Sequence, residues 1–171
     1  RKDADRISSE DEAKRILEAT REAATWSVRD ERTEQVRKPP LLFDLTSLQK
    51  TANSLFGFSA KRTLDAAQRL YEGHKLISYP RTDSKYLPRD MMNRLDPTVE
   101  ALRNYPATSK PAEQIQNDGA QNIHRNFNDE KVSDHYAVVP IRVPSAPLSG
   151  DDERIFNLIA QQFLAAHMAP A

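Results

Sequence analysis

Apolar residues recur three or four positions apart in four segments of the chain, and this spacing predicts four amphipathic helices. The first helix is expected over residues 9–24, where Ser9 and Glu12 form a capping box. The last helix begins at Asp151 and has a broad apolar face, formed by Ile155, Phe156, Leu158, Ile159 and Phe163.

The two middle helices lie within residues 44–71 and are separated by Gly57. Thr46 and Ser59 are their expected N-caps. Two short helices joined by a turn that contains glycine resemble a helix-turn-helix. The second helix begins Ala60-Lys61-Arg62, and cations at that end oppose the helix dipole, so they do not serve helix stability. An ordinary helical hairpin in a core explains the same pattern, and both interpretations stay open.

Short strands are expected between the helices, over residues 26–36, 76–79 and 138–143. Pro140 makes the third an edge strand or a bent strand, because proline donates no hydrogen bond to a neighbour. Residues 113–131 are rich in Asn and Gln and predict a long, exposed and mobile connection. The predicted fold is therefore α+β and helix-rich.

The composition excludes several kinds of chemistry. The 171 residues include no cysteine, so disulfides, thiolate zinc sites and cysteine nucleophiles are absent. The four glycines form no phosphate-binding loop, and no apolar run approaches the roughly 18 residues of a membrane span. Net charge is zero, but residues 58–110 hold 10 basic and 6 acidic side chains, a local balance of +4 that can attract phosphates.

The segment Ser78-Tyr79-Pro80-Arg81-Thr82-Asp83-Ser84 concentrates polar groups. In an extended backbone Tyr79 and Arg81 project to the same side, so the arginine fork can hold a phosphate beside the tyrosine oxygen. An ordinary tyrosine has a pKa of about 10, and neighbouring positive charge favours the nucleophilic phenolate. Most tyrosines at a strand end only pack, so these residues alone leave a catalytic role open.

A second polar segment is Ser133-Asp134-His135-Tyr136. A lone histidine is more often structural than catalytic, but within reach of Tyr79 and Arg81 it can donate to a phosphate or carry a proton. Tyr136 can stack on a base, as any exposed aromatic residue can.

Three stretches occur in a fixed order: residues 39–61, residues 67–88 with the YPRTDS motif, and residues 133–140. Together they resemble the type IA DNA topoisomerases, and they are most similar to the topoisomerase III branch. The last helix and the ending Met168-Ala169-Pro170-Ala171 also resemble this family.

The resemblance implies that Tyr79 attacks a phosphodiester of single-stranded DNA, takes the 5′ phosphate covalently and releases a 3′ hydroxyl. A second strand passes through the gap and the reverse attack reseals it, so no ATP is required. Arg81 matches the arginine that supports the cleaved phosphate, and His135 matches the histidine near it. These three residues are the implied catalytic set.

Five further residues are expected to contact DNA. Ser78 stands where many relatives carry threonine and keeps the hydroxyl, and Asp83 matches a carboxylate of the motif. Lys61, Arg62 and Arg69 are expected to contact phosphates.

The resemblance also implies a domain organisation. A winged-helix-like tyrosine domain covers residues 39–149, and residues 1–38 and 150–171 are fragments of the adjoining arch domain. The family needs a Toprim domain that holds Mg²⁺ and supplies a glutamate and a lysine. Nothing here resembles that domain, so we expect no metal site or cofactor in this chain. The chain should be part of a longer bacterial protein. That protein is expected to be cytoplasmic and nucleoid-associated and to have no membrane segment.

Two other classes of function are compatible with the sequence. One is a non-enzymatic winged-helix module that binds nucleic acid through Lys61, Arg62 and Arg69, and the other is an interaction domain with scaffolding loops. A protein that only reads duplex DNA needs no phenol beside an arginine, so the pairing of Tyr79 with Arg81 favours the enzyme. If these residues form a phosphate site with His135, Tyr79 and His135 must lie on one side of the core. If the active site is shared with a Toprim domain, the isolated chain should bind single-stranded DNA weakly and not cleave it.

Overall fold

Helices form the regular structure of the described residues, which are 7, 9–22, 29–33, 36–148 and 150–170 of a computed structural model. The chain divides into two units, Arg1–Gln35 and Val36–Ala171. In the first unit α1 spans Glu10–Glu22, and the N–H of Glu12 donates to Ser9 Oγ at 3.1 Å, which is half of the predicted capping box. Of the strand predicted over 26–36, residues 29–33 and 36 are neither helix nor strand, and the rest lies outside the described residues.

The described residues of the second unit form six further α-helices, one π-helical turn and two 3₁₀ segments. The helices are α2 (Leu45–Phe56), α3 (Ala60–Gln68), α4 (Leu95–Arg103), α5 (Ser109–Asp118), α6 (Ile123–Asn126) and α7 (Gly150–Ala166). A π-helical turn, Arg69–Gly73, continues α3, and 3₁₀ turns cover Arg89–Arg94 and Asp129–Lys131. α7 lies in the centre of the unit, where Ile155, Phe156 and Ile159 are fully buried.

The α2–α3 pair has the predicted glycine break, but its first cap is two residues earlier than expected. The carboxylate of Asp44, not Thr46, accepts the N–H of Ser47 at 2.6 Å. Gly57 ends α2 in the left-handed region at φ 68°, and Ser59 caps α3 as predicted. The pair buries its inner face against α7, so it forms a helical hairpin within the core.

The two strands predicted near the polar segments are reduced to single bridges. Ile77 pairs with Pro140 and Phe43 with Val138, both antiparallel, while Leu87 pairs with Phe127 in parallel. A ladder cannot extend through Pro140, which lacks an N–H. The helix-rich part of the predicted fold is confirmed, whereas the strands over 76–79 and 138–143 are not seen in the described residues. The winged-helix character stays a prediction.

Most residues of 113–131 are exposed as predicted, but the segment is not a long irregular connection, because it contains the end of α5, all of α6 and a 3₁₀ turn. Ala112 and Ile115 bury one face of α5, and Phe127 is 2% exposed. The polar residues complete the C-terminal end of α7. Asn126 Nδ2 donates to the Ala166 carbonyl at 2.8 Å, and Asn122 Nδ2 donates to that of Met168 at 2.7 Å. The amides that suggested a solvated loop therefore satisfy carbonyls that the helix leaves without partners.

Residues 150–170 share the core of the second unit, because α7 packs against α2, α3 and α5. Their assignment to an arch domain stays a prediction. Among the described helices none is long and apolar enough to cross a membrane.

Candidate active site around Tyr79

Burial alternates along the segment that contains Tyr79. The even-numbered positions are buried, namely Ser78, Pro80, Thr82 and Ser84, and the odd-numbered positions lie further out, namely Tyr79, Arg81 and Asp83. An extended backbone produces this alternation. Tyr79 and Arg81 are therefore presented on the same outward side, as predicted from their spacing.

The three buried hydroxyls fix this segment to the one that carries His135. Ser78 Oγ donates to the Ala137 carbonyl at 2.8 Å and accepts the N–H of Val139 at 2.9 Å. Thr82 Oγ1 donates to the His135 carbonyl at 2.9 Å, and Ser84 Oγ donates to the Lys131 carbonyl at 2.9 Å. The hydroxyls thus set the register between two segments that are far apart in sequence.

That register places His135 beside Tyr79. Their ring centroids are 4.3 Å apart and the rings are tilted by 44°. The ring of Tyr71 meets Tyr79 edge-on, with 5.4 Å between centroids. Tyr79 is half-buried while His135 is exposed, so the two side chains meet on one side of the core at its surface.

Arg81 and Asp83 are the two exposed positions that follow Tyr79 in the alternating segment. Arg81 is exposed, and no carboxylate of the described residues lies within 4 Å of its guanidinium, so its donors are available to an anion. Asp83 Oδ1 accepts from Ser133 Oγ at 3.2 Å, which adds a further tie between the two segments. Ser78 differs, since it is 4% exposed and its hydroxyl is occupied by the backbone.

The structure does not bring the three cations of α3 and its π-helical extension into this site. Arg62 forms two bonds to Asp151, at 2.7 and 2.8 Å, and Arg69 binds Asp152 at 2.6 Å. These hydrogen bonds raise the pKa of both guanidinium groups, and Arg62 lowers the pKa of Asp151. Lys61 Nζ lies 2.6 Å from Asp65 Oδ2. Each of these charges is compensated by a carboxylate.

A groove of about 460 Å³ opens beside Tyr79, and we call it the Tyr79 groove. Its wall includes aromatic and cationic residues that the sequence did not single out together: Tyr71, Lys75, Arg94, Tyr136 and Arg142, alongside Tyr79 and His135. Burial raises the pKa of Tyr136, with a smaller opposing effect of Arg94, so this phenol stays neutral. The sequence had already indicated that Tyr136 can stack on a base, whereas Lys75 is marked only by lying near Tyr79 in sequence.

The described residues contain no group of three or more His, Asp or Glu side chains that could hold a metal ion.

Comparison with known proteins places the chain in a family. Residues 1–171 match the family described as DNA topoisomerase. DNA topoisomerase 3 of Shouchella clausii is 43% identical over 136 residues, covering 78% of this chain and 18% of that protein. DNA topoisomerase 3 of Bacillus licheniformis is 44% identical over 133 residues, covering 77% and 18%.

Solved structures give the same assignment. Full-length topoisomerase I from Thermotoga maritima superposes with a TM-score of 0.51 at 29% identity, covering 80% of this chain and 22% of that one. The chain spans about a fifth of the length of the relatives that it matches. From the full-length match and these relatives, we conclude that the chain belongs to the DNA topoisomerase family.

Proposed function

We propose that this chain is the tyrosine-bearing part of a type IA DNA topoisomerase, which relaxes or decatenates DNA by transiently cleaving one strand. The observation that carries the proposal is the meeting of Tyr79 and His135, with 4.3 Å between ring centroids. Arg81 follows Tyr79 by two residues, is exposed, and has no carboxylate of the described residues within 4 Å. A phenol, an imidazole and a free guanidinium on one surface are suited to attack on a phosphodiester.

In the proposed reaction the Tyr79 hydroxyl oxygen forms a bond to the phosphorus of a single-stranded DNA phosphodiester, and the bond from phosphorus to the 3′ oxygen breaks. The phenol loses its proton to a base, and the leaving 3′ oxygen takes one up. The product is a 5′-phosphotyrosine link and a free 3′ hydroxyl. One phosphoester replaces another, so the reverse attack reseals the strand without ATP.

Arg81 and His135 act on the phosphate in this proposal. The planar guanidinium of Arg81 stabilises the negative charge that develops on the phosphoryl oxygens. The imidazole of His135, whose ring lies against that of Tyr79, donates to the same phosphate group. Asp83 holds Ser133, two residues before His135, and so supports this arrangement.

The site is completed by another domain in this proposal. The acid that protonates the 3′ oxygen, and the Mg²⁺ that the family uses, belong to a Toprim domain elsewhere in a longer chain. Residues 1–38 and 150–171 are assigned to an adjoining arch domain, and the complete protein works on the bacterial nucleoid in the cytoplasm. The isolated chain is then expected to bind single-stranded DNA weakly and not to cleave it.

The alternative of a non-enzymatic DNA-binding module has less support. It depends on Lys61, Arg62 and Arg69, and all three are paired with carboxylates. Three exposed cations without a carboxylate within 4 Å among the described residues, Lys75, Arg94 and Arg142, line the groove beside Tyr79 instead.

The test compares the complete protein with its Tyr79→Phe variant and with the isolated chain. Each is mixed with end-labelled single-stranded oligonucleotide and Mg²⁺, denatured, and analysed for DNA that stays attached to protein. We expect an adduct from the complete protein only, with the label on the 5′-phosphate side. An adduct from Tyr79→Phe would overturn the choice of nucleophile, and an adduct from the isolated chain would overturn the shared site.

A further inference from the structure

The geometry points to a nucleotide-binding subsite in the Tyr79 groove. We propose that this groove holds the first one or two nucleotides of the strand that is joined to Tyr79, with a base stacked on Tyr136 and backbone phosphates bound by Lys75, Arg94 and Arg142. This inference rests on the proposed function, and it adds a substrate contact that the YPRTDS motif does not contain.

The backbone that leads into the groove is unusual at two successive places. α3 continues into the π-helical turn Arg69–Gly73, a form that occurs mostly as single turns and is frequent at functional sites. Lys75 then adopts φ 57°, in the left-handed region that residues other than glycine seldom occupy. Its ammonium lies 5.8 Å from the centre of the Tyr71 ring. Strained conformations of this kind cluster at ligand-binding sites, and here the strain places a cation beside an aromatic wall.

The charges of the groove are complementary to phosphate. Lys75, Arg94 and Arg142 are exposed, and no carboxylate of the described residues lies within 4 Å of any of them. In addition to burial, Asp90, in the 3₁₀ turn Arg89–Arg94, raises the pKa of Tyr136, whereas Arg94 of the same turn lowers it. These three cations differ from Arg62 and Arg69, whose positive charges are already compensated by Asp151 and Asp152 and are therefore less available to DNA phosphates.

The aromatic wall can accept a base. Tyr71 and Tyr79 contact each other edge-on and Tyr79 also contacts His135, whereas Tyr136 has no ring partner among the described residues. The volume of about 460 Å³ lies within the range of about 300–1,000 Å³ that small-molecule sites occupy. Stacking on a ring is tolerant of base identity, which suits an enzyme that must hold many sequences.

The covalent link to Tyr79 decides which strand end occupies the groove. After cleavage the 5′ phosphate stays bonded to the Tyr79 oxygen, so the first nucleotide of that strand stays next to the groove, whose wall includes Tyr79. The released 3′ end has no such tether.

The experiment measures binding, so a base that stacks on Tyr136 is detected even if no covalent adduct forms and the proposed function fails. Only the position of that base relative to the cleaved bond depends on cleavage. Single-stranded oligonucleotides with one abasic site, moved through every position, are titrated with the complete protein and followed by fluorescence anisotropy. The cleaved phosphodiester is mapped separately with the wild-type protein. Tyr136→Ala removes the ring, Tyr136→Phe keeps it, and Tyr136→Leu keeps apolar bulk in case the alanine variant fails to fold.

We expect an abasic site one or two nucleotides downstream of the cleaved phosphodiester to weaken wild-type binding roughly tenfold. The Tyr136→Phe variant should behave in the same way. Tyr136→Ala and Tyr136→Leu should already bind the intact oligonucleotide more weakly and show no further loss at that abasic position. An equal abasic effect in all variants, or a coupled effect only upstream of the cleaved bond, would overturn the subsite.

Salt dependence tests the cations. Lys75→Gln should reduce the slope of log affinity against log salt by about 1, as loss of one phosphate contact does. Lys110→Gln, which removes an exposed charge on α5 outside the groove, is the matched control and should leave the slope unchanged. Equal slopes for Lys75→Gln and Lys110→Gln would remove Lys75 from the proposed site.

Discussion

The hydroxyl of Thr82 donates a hydrogen bond of 2.9 Å to the backbone carbonyl of His135. Thr82 is 7% exposed and points into the protein, so its side chain faces away from the surface that Tyr79 and Arg81 share. It also accepts the N–H of Ser84 at 3.1 Å. One buried hydroxyl thus holds the backbone of the histidine whose ring lies against Tyr79, and we infer that it is a positioning residue.

Replacing Thr82 by valine should loosen the position of His135. Valine keeps the shape but leaves the His135 carbonyl and the Ser84 N–H without partners, which costs about 1–3 kcal/mol of unfolding free energy. In the complete protein we expect less covalent adduct at saturating DNA with little change in DNA affinity, because no surface contact is lost. Thr82→Ser keeps the hydroxyl and should restore adduct formation. Equal adduct yields from the valine and serine variants would show that this bond does not position the site.

Ser78 should affect stability more than its size suggests. Its hydroxyl bonds both the Ala137 carbonyl and the Val139 N–H in a buried environment. Ser78→Ala leaves both groups unpaired, so we expect a loss of about 1–3 kcal/mol in urea unfolding. Ser54→Ala, at an exposed position of α2, is the control and should change the midpoint little. If both variants unfold at the same urea concentration, the two bonds contribute nothing net.

The features that were predicted from sequence are local ones. The glycine break and the Ser59 cap of the α2–α3 pair depend on residues within one or two turns, and the shared side of Tyr79 and Arg81 depends on the period of an extended chain. The helix-rich fold class could be predicted for the same reason, because helical spacing of apolar residues is also a local pattern.

The features that were missed depend on partners far away in the chain. Arg62 meets Asp151 across 89 positions, and Arg69 meets Asp152 across 83, so their charges looked available when the sequence was considered alone. The side-chain amide of Asn126 donates to the Ala166 carbonyl, 40 positions away, and so caps the end of α7. The polar composition of residues 113–131 had instead suggested contact with solvent. The composition around Lys75 does not indicate its left-handed conformation either. The Tyr79 groove, which includes Lys75, could therefore not be predicted from the sequence.

The ion pair between Arg69 and Asp152 should be a weak, salt-sensitive contribution to stability. The geometry is favourable, with Arg69 Nη2 2.6 Å from Asp152 Oδ1, but the arginine side chain is half exposed and solvent screens it. Asp152→Asn should lower the unfolding free energy by up to about 1 kcal/mol at low salt. The difference from wild type should shrink in about 1 M NaCl, where the Debye length is about 3 Å. A loss that is the same at both salt concentrations would point to packing rather than charge.

A buried histidine gives the chain a predictable response to pH. His167 follows α7 and is fully buried, and its Nδ1 lies 2.8 Å from the Phe163 carbonyl. That carbonyl can only accept, so Nδ1 carries the proton and Nε2 is the unprotonated nitrogen, which has no partner in the described residues. Protonating Nε2 would bury an unpaired donor and a charge together, and burial accordingly lowers the pKa of His167 below its usual value.

Because the pKa of His167 is lower in the folded state, the unfolded chain binds the extra proton first as pH falls. The contribution of neutral His167 is fully present above the unfolded value of about 6.5 and is lost as pH drops below it, at a rate of up to about 1.4 kcal/mol per pH unit until the folded pKa is reached. Urea unfolding of the wild type at several pH values between 7.5 and 5 should show this decline. His167→Asn, whose side-chain amide can still donate to Phe163, should be less stable at neutral pH but should have a flatter profile. The other three histidines, His74, His124 and His135, are exposed and remain in both proteins, so the difference between the two profiles isolates His167. Parallel profiles would show that the buried imidazole does not control the acid sensitivity of this fold.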